Sequence, residues 1–134
     1  MRSLKVKFDI PISKTREFWQ ALERDRLITT KCSDCGQVTF PPQADCPKCM
    51  SGRFEWVDLD RDATLVTCTH VLMTPTSFSQ SGSYFVAIGE MKGGLRVLAW
   101  VEGITEAEAK PGLRLRLEAR KSGEGRPYYA FVRA

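Results

Sequence analysis

The sequence holds a single histidine, no apolar run near the ~18 residues that span a bilayer, and no strong charge of either sign. One histidine leaves little material for Ser-His-Asp or Cys-His catalysis. The lack of a long apolar run argues against a spanning helix, and Met1 to Ile10 lacks the uninterrupted apolar stretch of a secretory signal. The expected compartment is therefore the cytoplasm. Lys and Arg number 20 against 16 Asp and Glu, a formal net charge of +4, which is thin for a dedicated nucleic-acid binder. Only 10 glycines and 7 prolines stand in 134 residues that are 43% hydrophobic, so the composition is neither disordered nor collagen-like. A chain this short forms one compact domain plus a small appendage, and a large multidomain enzyme is excluded.

What is present in quantity is cysteine at telling intervals. Cys32-Ser-Asp-Cys35-Gly36 and Cys46-Pro47-Lys48-Cys49 form two CxxC pairs with ten residues between them, and the fifth cysteine, Cys68, stands alone. A reducing compartment disfavours disulfides and leaves such thiols for metal. Two CxxC turns joined by a short hairpin can place four thiolates tetrahedrally around zinc, the arrangement of a zinc ribbon. Gly36 tolerates positive φ and Pro47 fixes φ, as turns require. Four sulfur ligands close the coordination shell, so the metal at Cys32, Cys35, Cys46 and Cys49 is expected to be structural. Iron suits the same donors, as in rubredoxin, and a redox dithiol is the other reading of the spacing.

Upstream, Ser13 to Arg24 predicts a helix with Ser13 or Thr15 as N-cap and with Phe18, Trp19 and Leu22 on one apolar stripe. Arg26 to Lys31 reads as a strand entering the first knuckle, and Gln37 to Pro42 as a short strand stopped by prolines. The N-terminal unit is placed at residues 1–60 and a second unit at 61–134.

From Asp62 the pattern becomes β. Five strands are predicted: Thr64 to Thr74, Tyr84 to Met91, Leu95 to Glu102, Leu113 to Lys121 and Tyr128 to Val132. Lys92-Gly93-Gly94 and Ser122 to Pro127 supply hairpin turns. Thr105 and Glu108 match a capping box, and Pro111-Gly112 ends that segment, so one helical turn is expected between the third and fourth strands. This order is that of an OB-fold, a five-stranded Greek-key barrel. The fold class is therefore mainly β: a five-stranded OB-fold barrel preceded by an N-terminal helix and a rubredoxin-like zinc ribbon. Leu113, Leu115, Leu117 and Ala119 alternate with Arg114, Arg116, Glu118 and Arg120, giving one buried and one charged face.

The helix with Phe18-Trp19, the two knuckles, and the segments Tyr84 to Glu90 and Leu95 to Trp100 together resemble the OB-fold acyl-CoA-associated family with a rubredoxin-like zinc ribbon, formerly a family of unknown function. The resemblance spans nearly the whole chain. It implies a non-catalytic accessory subunit that binds a thiolase-superfamily enzyme, acyltransferase, aldolase or hydratase and helps form its acyl-CoA site. The ligand class, coenzyme A or acyl-CoA shared with a partner, follows from the resemblance, as does the link to lipid metabolism.

CoA would require cations for its phosphates and an apolar slot for its adenine. Lys92, Arg96, Arg114 and Arg116 are the phosphate candidates, with Arg120, Lys121 and Arg126 as further cations and Phe78, Tyr84 and Trp100 as apolar walls. The loop from Pro75 to Ser83, carrying Phe78, is either a partner finger or an ordinary surface loop. His70 reads as a packed strand residue and Cys68 as a small buried hydrophobe, so no catalytic residue is assigned. The competing function is a single-stranded nucleic-acid-binding OB-fold module, since such folds pair aromatic platforms with basic grooves.

Overall fold

A computed structural model describes residues 13–73 and 82–134. Residues 1–12 and 74–81 lie outside the described residues, and with them Met1 to Ile10 and Phe78. The chain runs α1 (Arg16–Glu23), β1 (Ile28–Cys32), β2 (Val38–Thr39), β3 (Phe54–Asp58), β4 (Asp62–Val71), β5 (Tyr84–Met91), β6 (Arg96–Glu102), β7 (Arg114–Lys121) and β8 (Pro127–Arg133).

Spacing of i, i+3 and i+4 places Phe18, Ala21 and Leu22 on the buried face of α1. Trp19 is not on that face. It is 49% exposed, because one residue further along a helix turns the side chain by about 100°. Thr15 occupies the N-cap without a side-chain bond to the helix, while Ser13 Oγ accepts from the Thr15 N–H at 3.3 Å and Ser13 O from the Arg16 N–H at 3.2 Å, so of the two anticipated caps it is Ser13 that makes a capping-type contact. At the other end the Arg24 N–H bonds to Ala21 O at 2.9 Å, and Asp25 at φ 60° turns the chain toward β1.

β2, β1 and β3 form a small antiparallel sheet in that order. β3 is the strand that the sequence reading omitted; it pairs with β1 from Ile28 opposite Asp58 to Cys32 opposite Phe54. The remaining strands close a barrel in the order β4-β5-β6-β8-β7, with β7 returning to β4. β4 is shared between two partners: its start pairs with β7, and most of its length with β5 across a bulge between Leu65 and Thr67. Such a bulge bends a strand and lets the sheet curl shut. Closure on the far side comes from β6 and β8, which run parallel from Trp100 opposite Ala130 to Glu102 opposite Val132.

Alternation then sorts the side chains. Leu65, Ala87, Val97, Val101, Leu115, Leu117 and Phe131 fill the barrel. Gly89 is required there by space, since a Cβ on it would lie 2.7 Å from Phe131 Cζ. The core continues without a break into the N-terminal region, because Phe18, Leu22, Leu27 and Phe40 belong to the same buried cluster. Phe18, Phe40 and Tyr129 meet edge to face at 5.0 to 6.0 Å. Between β6 and β7 the anticipated helical turn is a run of turns only. Its capping contact is nonetheless made, the Thr105 N–H donating to Glu108 Oε1 at 3.1 Å.

Candidate metal centre and outer barrel face

The two CxxC segments fold into the same backbone turn twice. Cys32 N–H bonds to Gln37 O at 2.9 Å and Gly36 N–H to Cys32 O at 3.0 Å. Fourteen residues later Cys46 N–H bonds to Ser51 O and Met50 N–H to Cys46 O, both at 2.9 Å. The residue after each second cysteine takes positive φ, Gly36 at 77° and Met50 at 64°. The first was legible from its glycine. The second was not, because methionine carries no turn signal.

These turns aim four sulfurs at one point. The Sγ atoms of Cys32, Cys35, Cys46 and Cys49 lie within 4.8 Å of one another, and contacts of 3.5 Å cross between the knuckles, Cys32 to Cys49 and Cys35 to Cys46. A tetrahedron with metal–sulfur bonds of about 2.3 Å has edges of about 3.8 Å, so the donor set fits a zinc-sized ion. Among the described residues this is the one cluster of three or more His, Cys, Asp or Glu able to hold a metal.

Thiol acidity points the same way. The Cys35 backbone N–H, ahead of other hydrogen bonds, brings the Cys32 thiol down to about 6. At Cys49 the Ser51 amide pulls down, but the Cys32 sulfur, burial and the other two thiols outweigh it and push the value up to about 12. Cys46 is lowered, chiefly by the Cys49 amide. Cys35 is raised, burial and the Cys46 sulfur overcoming the Gln37 amide. Each cross-knuckle pair thus joins a lowered thiol to a raised one, as expected of sulfurs packed side by side.

A second set of contacts surrounds this centre. Asp34, inside the first knuckle, accepts from Arg53 Nη2 at 2.5 Å and Nε at 3.3 Å, and from Ser51 Oγ. Ser51 and Arg53 follow the second knuckle. The Ser51 hydroxyl, then Arg53, holds the Asp34 carboxyl below its ordinary range.

Of the four cations considered for phosphate, two line one cleft and two stand in register with acids that line it, Arg96 with Glu90 and Arg116 with Asp62. Lys92 and Arg114 line an open cleft of about 360 Å³, but Asp60, Asp62 and Glu90 line it too. Arg116 Nε also bonds to Glu118 at 2.7 Å. Arg120 and Arg126 approach Glu102 and Glu124 at 3.5 and 3.6 Å. His70 stacks on Phe85 at 4.2 Å with its Nδ1 buried and without a hydrogen-bond partner among the described residues, and burial raises the Cys68 thiol.

Between Glu90 and Arg96 at one end and Glu102 at the other, the outer face of the barrel along β5 and β6 is apolar. Val86 stands opposite Trp100 and Ile88 opposite Leu98 on β5 and β6, with Val97, Ala99 and Val101 turned inward. Leu98 is 63% exposed and Trp100 39%. Tyr84 and Tyr128 flank Trp100, each with ring centroids 5.9 Å away. Tyr128 Oη donates to Glu102 at 2.7 Å, and burial followed by that carboxylate pushes the phenol up to about 12. The signal for this face was in the sequence: Val97-Leu-Ala-Trp-Val101 is apolar on both sides, the pattern of a strand covered twice.

A four-cysteine ribbon joined to a closed five-stranded barrel defines a two-part class of zinc-ribbon and OB-fold proteins. Family models match both parts: the ChsH2 rubredoxin-like zinc ribbon domain at residues 19–55 and the ChsH2 C-terminal OB-fold domain at residues 56–120. The chain belongs to this ChsH2, or DUF35, family. It is similar to a "DUF35 domain-containing scaffold protein" of Methanocaldococcus jannaschii, 29% identical over 103 residues that cover 76% of this chain and 73% of the relative. A protein of the same description from Pyrococcus furiosus is 29% identical over 114 residues, covering 85% and 83%. Among solved structures, the fold matches a chain described as "Ltp2-ChsH2(DUF35) aldolase" with a TM-score of 0.76 at 20% identity, over 93% of this chain and 98% of that one. Among the described residues no helix is long and apolar enough to cross a membrane.

Proposed function

We propose that the chain is a non-catalytic accessory subunit that docks on an acyl-CoA-processing enzyme of the thiolase superfamily, or a related acyltransferase, aldolase or hydratase, and helps form its acyl-CoA site. The observation that carries this reading is the outer face of β5 and β6, where Leu98 and Trp100 stay exposed beside Val86 and Ile88 on a barrel whose interior is packed. Tryptophan and tyrosine anchors such as Trp100 and its neighbours carry a disproportionate share of the energy of protein interfaces, and flanking aliphatic contacts exclude water around them. Relatives described as scaffold proteins, and a structural neighbour described as part of an aldolase, support the role.

The ribbon holds zinc through Cys32, Cys35, Cys46 and Cys49, and zinc there supplies cross-linking rather than chemistry, because four sulfurs leave it no open position. The protein works in the cytoplasm, where thiols stay reduced. The ribbon unit is assigned to residues 1–60 and the barrel unit to 61–134, and described residues of both, Phe18 and Phe40 with Leu117 and Phe131, enter one buried cluster. CoA is held jointly with the partner. The three carboxylates around Lys92 and Arg114 oppose a phosphate in that cleft, so the partner's surface supplies the balance of charge. Contribution to catalysis is positional: a fixed thioester and excluded water.

The aromatic trio of Tyr84, Trp100 and Tyr128 is also where an OB-fold would stack single-stranded nucleic acid. The pairing of Arg120 and Arg126 with glutamates disfavours a polyanion. The test is co-purification with the identified partner, followed by thioester turnover with and without this chain. The wild type is expected to bind a thiolase-fold subunit and show no turnover alone, and Leu98→Asp to lose the complex while keeping its fold. Turnover by the isolated chain, or salt-sensitive oligonucleotide binding without a partner, would overturn the proposal.

A further inference from the structure

We propose that Asp34, Ser51 and Arg53 form a clasp that ties the two knuckles together across the metal centre and slows escape of the ion. This inference rests on the reading of the four cysteines as a metal site. Asp34 lies between the ligands Cys32 and Cys35, and its carboxylate receives both the Arg53 guanidinium and the Ser51 hydroxyl from beyond Cys49. The backbone repeats the tie, since Ser33 N–H bonds to Arg53 O at 3.0 Å, and the Arg53 N–H bond to Ser51 Oγ at 3.1 Å fixes the two donors relative to each other. None of these bonds uses a sulfur. The two turns are therefore held in register by contacts that survive while a thiolate detaches.

Electrostatics give the clasp a direction. Four thiolates around a divalent ion carry two net negative charges, and a carboxylate beside them adds a third. Arg53 offsets it at 2.5 Å. Removing Arg53 both breaks the tie and leaves Asp34 repelling the centre, whereas replacing Asp34 with Asn breaks the ion pair and removes the repulsion together. The two substitutions therefore have unequal effects, and the second partly rescues the first.

The experiment follows metal transfer from the full-length protein to a colorimetric chelator, with zinc bound, and records the cobalt-substituted thiolate spectrum of each variant. Arg53→Met is expected to release metal about five times faster than wild type, the upper end for an ion pair whose guanidinium is 78% exposed. Asp34→Asn should accelerate release by a smaller factor, about threefold, and the double variant should resemble Asp34→Asn rather than multiply the two. Unchanged cobalt spectra would show that the ligand set is intact, which a general loss of folding would not leave. If Arg53→Met retains no metal through purification, Arg53→Lys is read in its place, with an intermediate rate expected because lysine keeps charge and loses the fork. Release from Arg53→Met, or from the lysine variant when it substitutes, at the wild-type rate would overturn the clasp alone. A wild type that binds neither zinc nor cobalt would overturn the metal reading with it.

Discussion

In the barrel, five strands bond edge to edge until β7 meets β4 again, whereas the neighbouring sheet stops at a two-residue β2 on one side and at β3 on the other. The barrel keeps Leu117, Ala130 and Phe131 fully buried. In the ribbon, Cys35 and Cys49 are exposed, and apart from Cys32 and Cys46 little of the knuckles is covered. Hydrogen-bond closure and packed side chains suffice for the first region. The second substitutes a metal cross-link and a few polar ties for a core it is too small to build. Both rest on the same aromatic junction, so the difference lies in how each region is held at its far end.

Stripping the metal, by chelation or by Cys46→Ser, should have the largest effect on this contrast. The ribbon is expected to lose amide protection along β1 and β2 while β5 and β6 keep theirs, read by hydrogen exchange. Simultaneous loss in both regions would show that they fold as one cooperative unit. The mirror experiment is Phe131→Ala, expected to cost about 3–5 kcal/mol by denaturant unfolding while the metal content stays at one ion per chain. Gly89→Ala, which drives a Cβ against the Phe131 ring at 2.7 Å, should cost about 1–3 kcal/mol by the same measurement.

Acid sharpens the contrast further. Glu108 is held below the usual carboxylate range, first by the Thr105 backbone N–H, then by its hydroxyl and by Arg133. A depressed value stabilises the fold above the ordinary glutamate pKa and loses that contribution as pH falls through the folded-state value. Exchange protection at the Thr105 amide should therefore fall on acidification, and the fall should vanish in Glu108→Gln. The smallest effect belongs to Met50→Gly, which removes a side chain from a left-handed position and should stabilise the ribbon by less than about 1 kcal/mol, seen as slower metal release.

Much of this architecture was legible because it rests on local rules. The CxxC spacing located all four sulfurs, and alternation in Leu113 to Ala119 identified which leucines enter the barrel. β3 escaped although Phe54 and Trp56 alternate with Glu55, because so short a run beside a metal loop reads as connection. Trp19 was assigned inward with Phe18, yet adjacent helical residues diverge too far to share a stripe. The expected helical turn near Thr105 shrank to turns: Glu108 and Ala109 bond back three residues to Thr105 and Glu106, but the Lys110 N–H bonds to Glu108 O instead of continuing the series. The parallel union of β6 with β8 could not be read at all. It joins residues thirty positions apart and depends on how the whole sheet curls. The arginines on β7 were visible as a charged face, but their individual partners, such as Glu118 for Arg116, follow from rotamers that composition does not encode.

The rings of Phe18, Phe40 and Tyr129 come from three parts of the chain: the helix, the exit of β2 and the strand that seals the barrel. An engineer who wished to transplant the barrel without its ribbon would uncover Tyr129 and invite aggregation at that spot. The graft would need a polar replacement there, or would have to carry the helix and Phe40 along as a lid.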